Sequence, residues 1–93
     1  MRIVYTVRSR QDLADTVDGL AARNVHAALV VAATIRKRIA WLARHPTSGR
    51  AQDVAGVRRA VTEPFGYSIY YSVDEAAQLV TILTILPPSP DRI

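Results

Sequence analysis

Ile3, Tyr5 and Val7 alternate with Arg2, Val4 and Thr6, and branched or aromatic side chains at a period of two predict a strand over residues 2–7. Ser9, three residues before Asp12, is a weaker form of the capping box that opens a helix. Leu13, Val17, Leu20 and Ala21 then recur on one helical face, with Asp15 and Asp18 turned outward. Asp12, Asp15 and Asp18 form a solvated edge near the positive helix N-terminus rather than a metal site. Asn24 suits both the end of this helix and the N-cap of the next. In the second helix Ala28, Ala32, Ile35, Ile39 and Leu42 make a stripe at alternating spacings of four and three. Leu29, Val30 and Val31 widen that stripe, so this helix is expected to touch more than one neighbour. Arg36, Lys37 and Arg38 lie near its opposite side, Arg44 complements the C-terminal dipole, and His45-Pro46 ends it.

Thr47-Ser48-Gly49-Arg50 reads as a turn and loop, after which the period falls to two. Residues 57–61 make a short strand that follows Gly56 and is broken by Glu63-Pro64. Tyr67, Ile69, Tyr71 and Val73 alternate with Ser68, Tyr70 and Ser72, giving a strand with one buried and one wetter face and placing Tyr67 and Tyr71 in the core. Residues 74–78 form a hairpin loop. Over residues 79–86, Leu79, Leu83 and Ile85 fall on one face and Val80, Ile82 and Leu86 on the other, as in a central strand. Pro87-Pro88-Ser89-Pro90 continues neither structure. The expected fold class is α+β: an N-terminal strand, an α-helical hairpin and a three-stranded antiparallel meander (β-α-α-β-β-β), with the helices packed on one sheet face. Residues 1–86 are expected to form a single domain and residues 87–93 a Pro-rich tail.

The length of 93 residues allows one compact core. Hydrophobic and charged fractions of 49% and 22% belong to a globular chain and exclude a disordered one. Without cysteine there is no disulfide framework, thiolate metal site or cysteine nucleophile. No secretory signal or membrane span is visible, the longest apolar region being 25–33 with His26 inside it, so a cytoplasmic protein is expected. The net charge of +4 comes almost entirely from arginine and is uneven: residues 1–50 carry +6 and residues 51–93 carry −2. That balance points to a nucleic acid or an acidic protein segment as partner, or to arginines that serve solubility alone.

Four segments resemble the RelE/ParE family of type II toxins, small basic proteins encoded beside an antitoxin. Ser9-Arg10-Gln11-Asp12-Leu13 is similar to the family's opening of the first helix. Ile39-Ala40-Trp41-Leu42-Ala43-Arg44-His45-Pro46-Thr47-Ser48-Gly49-Arg50 is similar to its helix end and loop, I-x-x-L-x-x-x-P-x-x-G-R. Gly56-Val57-Arg58-Arg59 resembles its G-[LV]-R strand start, and Gly66-Tyr67-Ser68-Ile69-Tyr70-Tyr71-Ser72-Val73-Asp74 its Y-R-[IVL]-[IVL]-Y-x-V-D strand. The resemblance spans residues 2–86. It implies a toxin neutralised by a cognate antitoxin, ParD-like or other, with operator DNA bound only through that antitoxin and with no cofactor and no membrane.

The family divides by mechanism: the RelE-like branch cuts messenger RNA on the ribosome, and the ParE-like branch poisons DNA gyrase. Cleaving RNA through its 2′-hydroxyl needs a proton acceptor, a proton donor and cations around the phosphorane. Ser68 stands where the nucleases carry an arginine after the strand tyrosine. Leu86 runs into prolines instead of an H-x-x-R segment, and Arg92 follows late in the tail. His26 and His45 sit at the two ends of the second helix and read as surface or turn residues. The chain is therefore expected to be ParE-like, acting on DNA gyrase by binding rather than as an enzyme; the alternatives are a ribosome-dependent mRNA endoribonuclease or an inactive, antitoxin-binding relic. No residue is singled out as catalytic. Arg50, Arg58, Arg59 and Tyr70 are the candidate target or nucleic-acid contacts, although Arg58 and Arg59 point to opposite faces. Arg50 also reads as a structural residue that reaches the last helical carbonyls or the sheet edge. Two readings stand for Tyr70: an exposed contact surface, or a ring beneath a loop with its hydroxyl paired. An acidic antitoxin segment is expected to cross the outer side of the hairpin near Arg23, Arg36 and Arg38.

Overall fold

The computed structural model describes residues 1–88, which form β1 (Arg2–Tyr5), α1 (Val7–Ala21), α2 (Val25–Arg44), β2 (Arg50–Ala51), β3 (Val57–Val61), β4 (Ser68–Asp74) and β5 (Leu79–Leu86). The expected α+β order holds, with one addition. The segment expected to be loop contributes the two-residue strand β2, so the sheet has five strands in the order β1-β5-β4-β3-β2. β1 runs parallel to β5, the helical hairpin serving as the first part of the connection, and β3, β4 and β5 form the antiparallel meander.

Helix α1 opens at Thr6, not at Ser9. The Thr6 hydroxyl accepts the Ser9 N–H at 3.0 Å and donates to the Leu83 carbonyl at 2.9 Å, while the Thr6 N–H donates to Ile82 O at 3.1 Å. One residue therefore ends β1 and caps α1, and Ser9 becomes a buried first-turn residue whose Oγ donates back to Thr6 O at 3.0 Å. Asp12 also departs from the solvated edge expected of it. Its side chain is 16% exposed, and Oδ2 accepts from Thr84 Oγ1 at 2.5 Å and from Ile85 N–H at 3.0 Å, filling the β5 edge beyond the end of β1. Asp15 and Asp18 are exposed as expected. Arg8 pairs with Asp12 from the exposed side at 3.4 Å, the one ion pair among the described residues.

Asn24 caps α2, its Oδ1 accepting the Ala27 N–H at 3.0 Å. All five residues of the expected α2 stripe are buried, and Val31, three residues beyond Ala28 and four before Ile35, joins them. Leu29 and Val30 do not widen it; they stay 64% and 38% exposed because their helical positions turn them away from the sheet. Val31, Ile35, Ile39 and Leu42 pack on Ile69, Tyr71, Val80, Ile82 and Ile85. That last set requires a correction to the simple alternation of β5. Tyr70 pairs with Thr84 but Tyr71 with Ile82, so Leu83 is an extra residue in the ladder. The bulge resets the phase and brings Ile82 and Ile85, three residues apart, onto the same buried face. No helix among the described residues is long and apolar enough to cross a membrane.

Candidate functional site

The helices cover one face of the sheet, and strand alternation sorts the arginines between that face and the other. Arg58 points to the helical side. Its Nη1 donates to the Gly49 carbonyl at 2.8 Å and to Thr47 O at 3.3 Å, bolting the loop after α2 to β3. This is the structural task the sequence had offered to Arg50, whose side chain is exposed on the edge strand β2. The same loop is held from below by Tyr71, which is fully buried: its hydroxyl donates to Pro46 O at 2.8 Å and accepts the Gly49 N–H at 2.9 Å. A Cβ on Gly49 would run into that hydroxyl and lie 2.8 Å from the ring and 2.9 Å from Arg59 O, which is why the loop has glycine there. Tyr67 is buried, as expected for a core residue.

On the open face the register aligns Arg50, Arg59, Tyr70 and Thr84 in one row across four strands. Arg59 is half-buried and its Nε donates to Ser68 Oγ at 3.0 Å. Tyr70 is half-buried beside it. Two guanidinium groups directly opposite each other cost stability when nothing separates them, and they concentrate positive potential where an anion would offset it. Three of the four candidate target contacts therefore share a surface, and Arg58 lies on the far side of the sheet.

The three hairpin arginines occupy three separate places. Arg23 is exposed beside a shallow groove of about 380 Å³ between α1 and the end of β5, lined also by Asp15, Tyr67 and Leu86. Arg36 lies on the β1 side of α2, close enough to Tyr5 that its charge, with that of Arg10, opposes the upward push of burial on the Tyr5 hydroxyl; burial wins and the pKa is raised. Arg38, two residues or about 200° further round the helix, stands in the wall of a groove of about 610 Å³ between α2 and the end of β3. Lys37, Trp41, Arg44, Val61 and Glu63 also line that groove. Trp41 is 43% exposed and stacks on His45 with ring centroids 3.9 Å apart, and the Arg44 guanidinium lies 5.9 Å from its centroid. Sequence reasoning did not single out Trp41. The signal was its position between Ile39 and Leu42, off the buried stripe. His26 is exposed in the first turn of α2, and Arg92 lies outside the described residues.

No characterised protein sequence matches the chain significantly. Among solved structures it is similar to a protein of the chromosomal ParDE toxin–antitoxin system of P. aeruginosa, with a TM-score of 0.81 and 23% identity over 96% of this chain and 97% of that one. It is also similar to a chain of the intact E. coli RelBE toxin–antitoxin complex, with a TM-score of 0.69 and 11% identity over 94% and 95%. At these identities the likeness concerns the fold. The sequence itself matches, over residues 3–91, the family described as the ParE toxin of the type II toxin–antitoxin system parDE. On that match across nearly its whole length, the chain belongs to the ParE toxin family.

Proposed function

We propose that this chain arrests growth by binding DNA gyrase and that a cognate antitoxin encoded beside it neutralises it, both in the cytoplasm. The observation that carries the gyrase reading, beyond family membership, is the make-up of the open sheet face. Its row of Arg50, Arg59 and Tyr70 offers cations and an aromatic, while among the described residues no strand residue is a histidine or lysine and the only strand carboxylate is Asp74 at the end of β4. Such a surface is equipped to dock on a macromolecule rather than to relay protons. Arg59 beside Tyr70 favours the second reading, ribosome-dependent mRNA cleavage, in which the guanidinium would face the phosphorane and the phenol would move the proton.

Pulse-labelling of DNA and protein synthesis after induction without antitoxin separates the two. An early stop in DNA synthesis with a damage response is expected. An early stop in translation with cut transcripts would replace gyrase by messenger RNA, and normal growth on both counts would leave an antitoxin-binding relic. Arg59→Ala and Arg50→Ala are the informative companions, because Arg58→Ala also loosens the loop that it bolts.

The antitoxin segment is proposed to wrap the hairpin from Arg23 past Arg36 and Arg38 toward the sheet. An extended segment suits three separated cations better than a compact domain does. Affinity should fall steeply with salt. A complex indifferent both to salt and to charge reversal at Arg36 and Arg38 would rule this placement out.

A further inference from the structure

Phe65 departs from what the stability of the chain alone would select. It stands at the tip of the β3–β4 hairpin, 43% exposed, with φ at +84°. A single exposed apolar side chain is ordinary and needs no explanation. A bulky side chain in the left-handed region is not ordinary, because its Cβ crowds the backbone there and glycine or asparagine would relieve the cost. Among the described residues nine large apolar side chains are exposed, and Phe65 alone of them combines exposure with a positive φ. The other non-glycine residue with positive φ, Gln78, sits at an ordinary left-handed 53°, and its side chain donates to Glu75 O at 2.8 Å, which offsets the cost locally.

Nothing in the closure of the hairpin asks for a ring. The Thr62 N–H donates to Tyr67 O at 2.9 Å, the Gly66 N–H to Thr62 O at 3.1 Å and the Tyr67 N–H to Thr62 Oγ1 at 3.0 Å. Thr62 and Tyr67 are buried, so main chain and one hydroxyl set the shape of the turn from inside and hold Phe65 out on it. Strain that the surroundings impose on an exposed residue points to use of that residue. A turn fixed in this way loses little backbone freedom when its aromatic binds.

The neighbouring residues define what the ring would meet. Strand alternation places Val61, Ser68 and Leu86 on the open face, in the row next to Arg59 and Tyr70. Thr62 follows Arg59 by three residues, about 10 Å along the strand, so one interface patch of ordinary size, about 800 Å² per partner, spans the arginine row and the hairpin tip. Leu86 is 37% exposed and adds apolar surface. The matching occupant is a protein surface with an apolar pocket for the ring and acidic groups for Arg50 and Arg59. Single-stranded nucleic acid offers bases to stack on the ring, but exposed Glu63 on the same loop brings a carboxylate against its phosphates. A second copy of this chain would set like charges against each other across the arginine row.

We propose that Phe65 is an anchor of the target interface: the tip of the β3–β4 hairpin inserts this ring into an apolar pocket of the target protein while acidic groups beside that pocket meet Arg50 and Arg59. This rests on the gyrase reading above and extends its contact surface from the arginine row to the hairpin tip.

Affinities are measured with the full chain made by cell-free synthesis, against purified DNA gyrase, the cognate antitoxin and a single-stranded DNA oligonucleotide. Phe65→Gly and Phe65→Asn both remove the ring and suit the left-handed backbone. The expected result is gyrase affinity lowered at least roughly tenfold in both, the cost of losing an interface anchor, with antitoxin affinity unchanged. The melting temperature of each variant should equal or exceed that of the natural chain, a combination that a merely structural ring would not give. Val54→Ala, an exposed apolar residue before the opposite end of β3, should leave gyrase affinity as it is. Equal binding of gyrase by the natural chain and both Phe65 variants would overturn the anchor and leave the gyrase reading standing. A melting temperature lowered in both variants would make the ring part of the chain's own fold and overturn the proposal. Loss of antitoxin binding with gyrase binding unchanged, or a parallel loss of oligonucleotide binding, would overturn the assignment to the target protein. A natural chain that does not bind gyrase would overturn both readings.

Discussion

Tyr71→Phe isolates the contribution of two hydrogen bonds without disturbing the packing around them. The ring is fully buried and phenylalanine preserves its burial, so the transfer term is nearly unchanged. What disappears is the hydroxyl that joins Pro46 O at 2.8 Å to Gly49 N–H at 2.9 Å. Losing the bond to Pro46 O costs about 0.5–1.5 kcal/mol net, and the Gly49 N–H, facing the ring, is left without a partner at a cost of about 1–3 kcal/mol. A total loss of about 2–4 kcal/mol is expected, a large fraction of the roughly 5–14 kcal/mol available to a chain of this size. At about 4–8 °C per kcal/mol for such a domain, the melting temperature should fall by roughly 8–32 °C. Urea unfolding measures the loss, with the midpoint moving at constant slope. Tyr70→Phe is the control and should change stability by less than about 0.5 kcal/mol, since no hydrogen bond holds its hydroxyl among the described residues. A loss below about 0.5 kcal/mol for Tyr71→Phe, with Gly49 amide exchange as slow as before, would refute the claim that this hydroxyl holds the loop.

Further outcomes test the neighbouring contacts. Burial pushes the Asp12 carboxyl up, but the hydrogen bonds from Thr84 and Ile85 and the charge of Arg8 outweigh it and hold the pKa below the usual range. A depressed carboxylate stabilises the fold above its unfolded pKa of about 3.9, and that contribution is lost as pH falls through the lower folded value. Asp12→Asn should therefore reduce stability by about 1–2 kcal/mol at neutral pH and flatten the acid limb of the stability–pH curve, both read by urea unfolding. Gly49→Ala should cost roughly 1–3 kcal/mol, because the new methyl meets the Tyr71 ring and Arg59 O below 3.0 Å; thermal unfolding checks it. Arg58→Ala removes both guanidinium contacts to the loop and should cost about 1–2 kcal/mol, whereas Arg50→Ala should stay within about 0.5 kcal/mol, so a reversed order would contradict their assigned roles.

Where the hydrophobic period was strict, the sequence reported the fold directly. The five-residue stripe of α2 went inside because spacings of four and three leave a helix no other face to bury. Asn24 and His45-Pro46 marked the helix ends through local chemistry that does not depend on partners. The cap at Thr6 was hidden because what selects it over Ser9 is its pair of bonds to Ile82 and Leu83, more than seventy residues away. The bulge at Leu83 was only faintly marked: residues 79–86 are apolar apart from Thr81 and Thr84, whose spacing of three is the one sign of a slip in a period of two. Asp12 was misread because its partners lie on β5.

The grooves were the least legible part, since each lies between elements that the sequence predicts one at a time. The α2–β3 groove shows how closely such a site depends on distant contacts. Tyr71 fixes Pro46 and Gly49 and Arg58 fixes Thr47 and Gly49, so the chain arriving from α2 is drawn over the helical face until Gly49 and meets the β3 edge only at Arg50. A strand beginning there can pair with Arg59 and Arg58 but not with Val61. The two-residue length of β2 thus has two causes, a buried tyrosine hydroxyl and one inward arginine. Loosening either should change how the edge is covered as well as how stable the domain is, and Val61 amide exchange in Tyr71→Phe would register the coupling.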